Sequence, residues 1–436
     1  MSEGVTESAF ERMRDILLLL LRRMSISQNN CPTDARVAII SYSTKMHYLV
    51  RFSDFQNKNS LLQAIRNIPL EQSAGRRDLG AALRFVARNV FKRIRRGVLM
   101  RKVAIFLVAG PCSDAASIST AMLEFSALDV IPAVITFSDD PLLRQALSMD
   151  NTKLYVWEKK NDENVELMAS CTLCYDWCKA DKECEMTSPG LIEVDVDIAY
   201  VLDSSPGVTH EAFRAARSLV DSMLNDLVIA PHPRLSPAGA RAALVQQGVP
   251  GFSPYEDEPP VQKEFDLLTY SHPGQMQRHL WEAVRQLGGP PYLGHALEWT
   301  IENILEEAPL PRKNRVLLVM VGSETSPGDR EKLRRVSLEA KCEGFILFAV
   351  ALGARANLEE SALLASYPPE QHLLYLPDVS PLGMDYAQRF LRGFLGLLKS
   401  EVNQYPPPSL LEDCERLHRG DNRRKASLTQ RPLFHD

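Results

Sequence analysis

The sequence lacks the features of fibrous, membrane-spanning and strongly charged proteins. It contains 22 glycines in 436 residues and no Gly-X-Y run, so no triple helix lies within the chain. No apolar run approaches the roughly 20 residues that a membrane span needs. Its 50 basic and 55 acidic residues leave a net charge of −5, which provides no field to hold nucleic acid. We therefore expect neither a membrane span nor a nucleic-acid partner.

The motifs of the common enzyme classes are also missing. The chain has no Gly-x-Ser-x-Gly elbow, no His-Glu-x-x-His pair and no phosphate-binding Gly-x-x-x-x-Gly-Lys loop. Its first ten residues contain no basic segment followed by an apolar run, so they do not predict a signal peptide. What is present is ordinary for a globular protein, with 45% hydrophobic and 24% charged residues. The sequence therefore predicts a packed protein with no enzymatic activity and no cofactor.

The chain consists of two similar halves, because five short blocks recur in the same order. Between the blocks, short apolar runs alternate with amphipathic helical stretches, a pattern typical of a mainly parallel sheet covered by helices. The sequence therefore predicts an α/β protein with two tandem doubly wound (Rossmann-like) domains. The paired blocks are GVTESAF (4–10) with GVTHEAF (207–213), RVAII (36–40) with RAALV (241–245), LLQAIRNI (61–68) with LWEAVRQL (280–287), LGAAL (79–83) with LGHAL (293–297) and AIFLVAG (104–110) with VLLVMVG (316–322).

The two halves differ at their start. The second half opens with a predicted strand, Ile192 to Leu202, that runs directly into Asp203. The matching segment of the first half would lie before Met1, and a sheet without it would expose unpaired backbone edges. We therefore expect the chain to be a fragment, a shortened isoform or a doubtful gene model of a longer protein. The other predicted core strands are 103–108, 130–137, 315–321 and 345–352.

The second half resembles the von Willebrand factor A domain. Asp203, Ser204 and Ser205 follow a strand, and a Leu-Gly-x-Ala-Leu segment and a strand ending in glycine come later, in the order of that family. In the family, a DxSxS motif, a threonine and a late aspartate hold a divalent cation at the metal-ion-dependent adhesion site. Asp203 and Ser205 match the first two ligands. The remaining positions carry Gly207, Pro291 and Val321 in the second half, and Arg77 and Ala109 stand at the threonine and aspartate positions of the first.

This departure predicts a degenerate site that binds no metal. A hard divalent cation needs a full set of oxygen ligands, and glycine, proline and valine side chains supply none. We expect Asp203 and Ser205 instead to cap the helix that follows them. The alternative is a metal-dependent adhesion module, in which these two residues recruit a cation with other ligands.

A cysteine-rich junction between the halves narrows the resemblance to the C-terminal globular region of a long type VI collagen α chain. The resemblance implies a first A domain over 1–165, a linker over 166–190, a second A domain over 191–400 and a disordered polar tail over 401–436. It also implies an oxidising compartment, in which the linker cysteines form disulfides. A zinc site in an intracellular scaffold is the other interpretation. The linker cysteines are Cys171, Cys174, Cys178 and Cys184.

Two further cysteines have separate interpretations. Cys342 adjoins a predicted core strand and is expected to be a small buried apolar residue. Cys414 lies in the polar tail and is a candidate for a bond between chains.

Two segments are candidates for contact with other molecules. The tail contains Arg419, Gly420 and Asp421, the tripeptide that integrins recognise. A basic segment between a helix and a strand is a candidate for binding sulfated glycosaminoglycans, and the alternative interpretation is a solvated helix end. Its basic residues are Lys92, Arg93, Arg95, Arg96, Arg101 and Lys102.

The resemblance implies a non-enzymatic, secreted protein of the extracellular matrix. We expect an A-domain module that acts in collagen VI-type assembly and contacts other matrix proteins or collagen chains. Contact with integrins or sulfated glycosaminoglycans would be additional.

Overall fold

The computed structural model of the protein describes residues 5–22, 24, 35–43, 45–55, 57–70, 78–91, 102–110, 114–147, 154–157, 165, 190–417 and 419. The chain divides into two compact units, Met1–Gly190 and Leu191–Asp436. None of the helices in these described ranges combines the length and hydropathy needed to cross a bilayer.

The described residues of the first unit form two separate sheets. Strands β1 (Ile39–Tyr42) and β2 (Met46–Val50) form an antiparallel hairpin. Strands β3 (Lys102–Val108), β4 (Val130–Thr136) and β5 (Leu154–Trp157) form a parallel sheet in that order. The helices are α1 (Glu7–Arg22), α2 (Lys58–Arg66), α3 (Leu79–Phe85) with a π-helical continuation over Val86–Phe91, α4 (Ala115–Ala127) and α5 (Pro141–Leu147).

The helices of the first unit begin where the sequence supplies a capping side chain. Asn57, Asp78 and Asp114 precede α2, α3 and α4, and each accepts a hydrogen bond from a backbone N–H in the first turn. Helix α1 has an amphipathic pattern, and its apolar side packs in two small cores of this unit.

The second unit is built on one six-stranded sheet in the order β11-β10-β9-β6-β7-β8. All neighbouring strands are parallel except β7 and β8, which are antiparallel. The strands are β6 (Val196–Asp203), β7 (Arg241–Gln247), β8 (Val261–Phe265), β9 (Asn314–Val321), β10 (Ile346–Leu352) and β11 (Leu373–Leu376). The helices are α6 (His210–Asp226), α7 (Pro273–Glu282), α8 (Leu293–Thr300) with a π-helical continuation over Ile301–Leu305, α9 (Arg330–Cys342), α10 (Leu358–Leu364), α11 (Pro369–His372) and α12 (Pro381–Ser400).

The place of β6 explains why the first sheet is divided. In the second unit, β6 pairs with β7 on one side and β9 on the other, and all eight of its residues are buried. The internal repeat aligns β7 with β1 and β9 with β3. Among the described residues of the first unit, no strand pairs with both β1 and β3, so the hairpin and the parallel sheet remain separate. The prediction of two doubly wound domains, the first without its opening strand, is confirmed.

A buried ion pair joins β6 to β7 near the amino-terminal ends of both strands. Asp197 and Arg241 are paired in register, and both side chains are fully buried. The Arg241 Nε donates to Asp197 Oδ1 at 2.6 Å, and Nη2 donates to Oδ2 at 2.7 Å. Its remaining N–H groups reach the carbonyls of Pro233, Pro309 and Leu310. The guanidinium is therefore satisfied on every side, as a buried cation requires.

The segment after α12 differs from the disordered tail that composition predicts for 401–436. Residues 401–417 are described, with a 3₁₀ turn at Pro408–Leu410 and helical turns at 411–417. Cys414 is 6% exposed and forms a disulfide with Cys342 at the end of α9. The predictions of an interchain bond for Cys414 and of a free apolar role for Cys342 are therefore wrong in the structure. Both rested on local composition, which does not show that the two residues meet.

A buried histidine fastens the same segment to the second unit. His372 is fully buried, and its Nδ1 donates to the Pro368 carbonyl at 2.9 Å. In the neutral ring, Nε2 therefore accepts a hydrogen bond from the Tyr405 hydroxyl at 2.7 Å. Burial lowers the pKa of His372 to about 4 and raises that of Tyr405 above its ordinary value.

The second unit is expected to lose about 2 kcal/mol of stability between pH 7 and pH 5 through His372. Its folded-state pKa lies below the unfolded value of about 6.5, so the contribution is complete above pH 6.5 and falls as the pH approaches 4. Urea unfolding at both pH values measures the loss. His372→Gln should lose most of this dependence, whereas His210→Gln, at an exposed position, should keep it. Equal pH dependence in both variants would contradict the assignment.

Candidate functional site

The candidate site lies where β6 and β9 end, at the carboxyl edge of the second sheet. Asp203 is the last residue of β6, and Gly322 directly follows β9. In a doubly wound sheet, the carboxyl ends of the strands form the edge at which ligands bind. The structure therefore brings Asp203 and Ser205 to the place that the sequence analysis assigned to them.

The carboxylate of Asp203 is occupied by donors from the protein itself. Its Oδ1 accepts from the Ser205 N–H at 3.1 Å and from the Gln247 amide at 2.6 Å. Its Oδ2 accepts from the N–H groups of Gly322 and Ser323, at 3.1 and 3.0 Å, and from the Ser323 hydroxyl at 2.7 Å. These five donors, arranged around a buried carboxylate, take the positions that a cation would otherwise claim.

Ser323 also determines what can stand next to Asp203. Its hydroxyl proton points to Asp203, so the Ser205 hydroxyl donates to the Ser323 oxygen at 2.8 Å. A Cβ added at Gly207 would lie 2.6 Å from the Ser323 Cβ. The serine that the family carries at this position therefore does not fit beside Ser323. The family's serine ligand is thus replaced by Gly207 next to Ser323, which donates a hydrogen bond to Asp203.

A second buried carboxylate organises the neighbouring loop. Asp329 accepts from the backbone N–H groups of Gly294 and His295, from the His295 ring and from the Thr325 hydroxyl. Because Tyr292 provides no side-chain cap for α8, Asp329 supplies the anion at this helix start from a distant loop. The loop before α8 carries Pro291 where the family carries its threonine ligand. The Pro291 carbonyl accepts a hydrogen bond from the Ser326 N–H at 2.8 Å.

The expectation that Asp203 and Ser205 cap the following helix is wrong. Helix α6 begins at His210, and the Thr209 hydroxyl accepts from the Ala212 N–H at 3.1 Å. Asp203 instead ties the end of β6 to the loop after β9. The sequence could have indicated Thr209, because threonine followed by a helical pattern is a common helix start.

Sequence reasoning missed Gln247, Ser323 and Asp329 as partners at this edge. The loop that contains Ser323 was noticeable because it follows a strand. Gln247 gives no such signal, since a glutamine at the end of a strand is usually a solvated residue. Only the folded sheet shows that it lies beside Asp203.

The other predicted site residues are partly outside the described residues. The linker cysteines Cys171, Cys174, Cys178 and Cys184 lie outside them, as do Gly420 and Asp421. Arg419 is described, and its largely exposed guanidinium donates to Glu415 at 3.0 Å. Of the basic segment only Lys102 is described, in β3, where its ammonium donates to the Leu128 carbonyl at 2.9 Å.

Comparison with known proteins identifies the family. The model of the von Willebrand factor type A domain matches residues 1–170 and 197–386, and the chain belongs to that family. It is 50% identical over 428 residues to the collagen alpha-4(VI) chain of Mus musculus, covering 97% of this chain and 18% of that one. It is 39% identical over 422 residues to the collagen alpha-6(VI) chain of Homo sapiens, covering 96% and 19%.

A more distant relative belongs to another group of matrix proteins. Matrilin-4 of Mus musculus is 28% identical over 191 residues, which is 44% of this chain and 28% of matrilin-4. The chain spans about a fifth of the length of the collagen relatives that it matches. These relatives confirm the resemblance to type VI collagen chains and the prediction of a non-enzymatic extracellular matrix protein.

Proposed function

We propose that the chain acts as a cation-independent interaction module in collagen VI-type assembly and in contact with other matrix proteins. The observation that carries this proposal is the saturated carboxylate of Asp203, which five protein donors surround. The relatives support the matrix setting, and the carboxylate geometry supports independence from a metal. Recognition would then use the surface of the domain rather than a coordinated ion.

Energetics favour the hydrogen-bonded state over metal binding at this edge. A hydrogen bond to a charged group contributes about 1.5–3 kcal/mol, and a cation would have to displace several of those at Asp203. Magnesium demands near-octahedral oxygen coordination, and the family's other ligand positions carry Gly207, Pro291 and Val321. If a cation bound here, the Asp203 carboxylate would lose hydrogen bonds from protein donors, and the cation would lack the family's usual oxygen ligands.

The matrix contacts of the full chain are expected to be unaffected by metal removal. Binding to immobilised collagen VI microfibrils should be equal in EDTA, Mg²⁺ and Mn²⁺, and neither cation should raise the unfolding midpoint, as a tight ligand would. Surface plasmon resonance and differential scanning calorimetry provide the two measurements. Loss of binding in EDTA, or micromolar Mg²⁺ affinity, would favour the metal-dependent alternative. Absence of microfibril binding under every condition would reject the assembly role.

We also propose that the tail contacts cells through Arg419, Gly420 and Asp421. The exposure of Arg419 supports this role, although its ion pair with Glu415 must open first. Such exposed pairs contribute at most about 1 kcal/mol. Asp421→Glu should abolish integrin-dependent cell attachment, because the carboxylate moves by one methylene while the charge is kept. Attachment that survives this change and deletion of 420–436 would place the adhesive surface elsewhere.

The remaining contacts are proposed from sequence alone. Sulfated glycosaminoglycans would bind the basic segment through Lys92, Arg93, Arg95, Arg96 and Arg101, with Lys102 less available because it donates to a carbonyl.

The linker would be held by disulfides among Cys171, Cys174, Cys178 and Cys184, in keeping with an extracellular location. Resistance of these four thiols to alkylation before reduction is the corresponding test.

A further inference from the structure

The loop between β7 and β8 presents a tyrosine directly to solvent. Tyr255 is 96% exposed, the highest exposure among the large hydrophobic side chains of the described residues. The loop is anchored at both ends, because Phe252 and Pro260 are buried. Phe252 packs edge-to-face against Tyr292, with ring centroids 5.2 Å apart, so the loop stands at the same edge of the sheet as Asp203.

The hydrogen bonds around Tyr255 are local to the loop. Its backbone N–H lies 3.4 Å from the Ser253 hydroxyl, and the Glu256 N–H donates to the Ser253 carbonyl at 3.2 Å. The five residues from 255 to 259 are all exposed. An enzyme could therefore reach the phenol and its flanking residues without opening the core of the domain.

Three consecutive carboxylates follow the tyrosine. Glu256, Asp257 and Glu258 are exposed, and none of them forms an ion pair with a residue that the structure describes. The sequence Ser253-Pro-Tyr-Glu-Asp-Glu-Pro-Pro260 contains no basic residue. This stretch is therefore a local concentration of negative charge in a chain whose net charge is only −5.

We propose that Tyr255 is a site of tyrosine O-sulfation during passage through the secretory pathway. A sulfotransferase binds an anionic phosphosulfate donor, so its site must be cationic, and an acidic acceptor loop is attracted to such a site. The phenol oxygen forms a bond to the sulfur of the donor, and the bond from that sulfur to the donor's phosphate oxygen breaks. The phenol proton passes to a base of the enzyme, and the phosphate-bearing fragment leaves.

Sulfation would change what the loop can recognise. One sulfate beside three carboxylates gives four anionic groups on an accessible loop. Such a cluster favours partners with an arginine- or lysine-rich segment, because guanidinium groups bind oxyanions with two parallel hydrogen bonds. The modification would thus add a charge-based contact to an edge of the domain where no cation is needed.

The test uses the full chain, joined to a secretion signal and secreted from mammalian cells. Mass spectrometry of the peptide containing Tyr255 should show the added mass of one SO₃ group, absent after growth in chlorate, which blocks synthesis of the sulfate donor. Tyr255→Phe should remove it. The matched control is Tyr367, which is 57% exposed but follows serine and precedes two prolines. It should remain unmodified.

Two further arms keep the result decisive. Replacing Glu256, Asp257 and Glu258 by the corresponding amides should reduce sulfation at least tenfold without changing the exposure of Tyr255. Phosphatase treatment should leave the added group in place, because a phosphate on the same hydroxyl would be removed. An unmodified Tyr255 in secreted protein, or a phosphatase-sensitive group, would overturn the proposal. Neither result depends on whether the chain binds collagen VI microfibrils.

Discussion

Replacing Asp197 by asparagine is expected to lower the free energy of unfolding of the second unit by about 3–5 kcal/mol. The substitution keeps the size of the side chain but leaves the Arg241 guanidinium without its counter-ion in a fully buried position. The carbonyls of Pro233, Pro309 and Leu310 would still accept hydrogen bonds, yet they carry no compensating charge. Desolvation of the cation would then be uncompensated.

Urea unfolding of the full chain, followed by hydrogen exchange in peptides of β6 and β7, measures this effect. The matched control is Asp385→Asn, which breaks a largely exposed pair with Arg389 on α12. That change should cost at most about 0.5 kcal/mol, as is usual for an exposed pair four residues apart on a helix. If Asp197→Asn and Asp385→Asn shift the unfolding midpoint equally, the buried pair does not have the importance assigned to it.

Removal of the disulfide between Cys342 and Cys414 is expected to destabilise the second unit by about 4 kcal/mol. The two cysteines are separated by 72 residues, so the bond closes a long loop and restricts the unfolded chain. The double variant Cys342→Ser, Cys414→Ser avoids leaving one reactive thiol at a buried position. Hydrogen exchange should rise first in residues 401–417, which lose their covalent attachment to α9.

Peptide mapping without reduction provides the direct check on the pairing. A peptide containing Cys342 should be joined to one containing Cys414 within a single chain. Recovery of the Cys414 peptide joined to a second chain would contradict the intrachain bond. An unfolding midpoint that is unchanged in the double variant would show that the bond adds no stability.

Local patterns were sufficient to predict most of the sheet. The apolar runs around β3, β4, β9 and β10 indicated central strands because parallel strands are buried on both faces. The internal repeat then placed β6 in the second unit, and the described residues of the first unit contain no strand in the corresponding place. These inferences succeeded because each depends on residues that are close together in sequence or on a repeated order.

The partners at the candidate site could not be predicted in the same way. Asp203 receives hydrogen bonds from Gln247, 44 positions away, and from Ser323, 120 positions away. Nothing in the local sequence selects Ser323 among the many hydroxyl groups of the chain. The tail shows the same limit, since its polar composition predicted disorder while Tyr405 and Cys414 fasten residues 401–417 to the domain.

The disulfide also determines how the second unit would respond to mechanical tension. A pulling force applied along the chain on either side of this unit passes through the sulfur–sulfur bond from Cys342 to Cys414. The residues between them, including β10, β11 and α12, are bypassed and bear no load. At roughly 3.5 Å per extended residue, about 250 Å of chain enclosed by the disulfide cannot be extended by the force. In an elastic matrix, the two outer strands β10 and β11 would therefore be spared the tension that stretches β6 to β9.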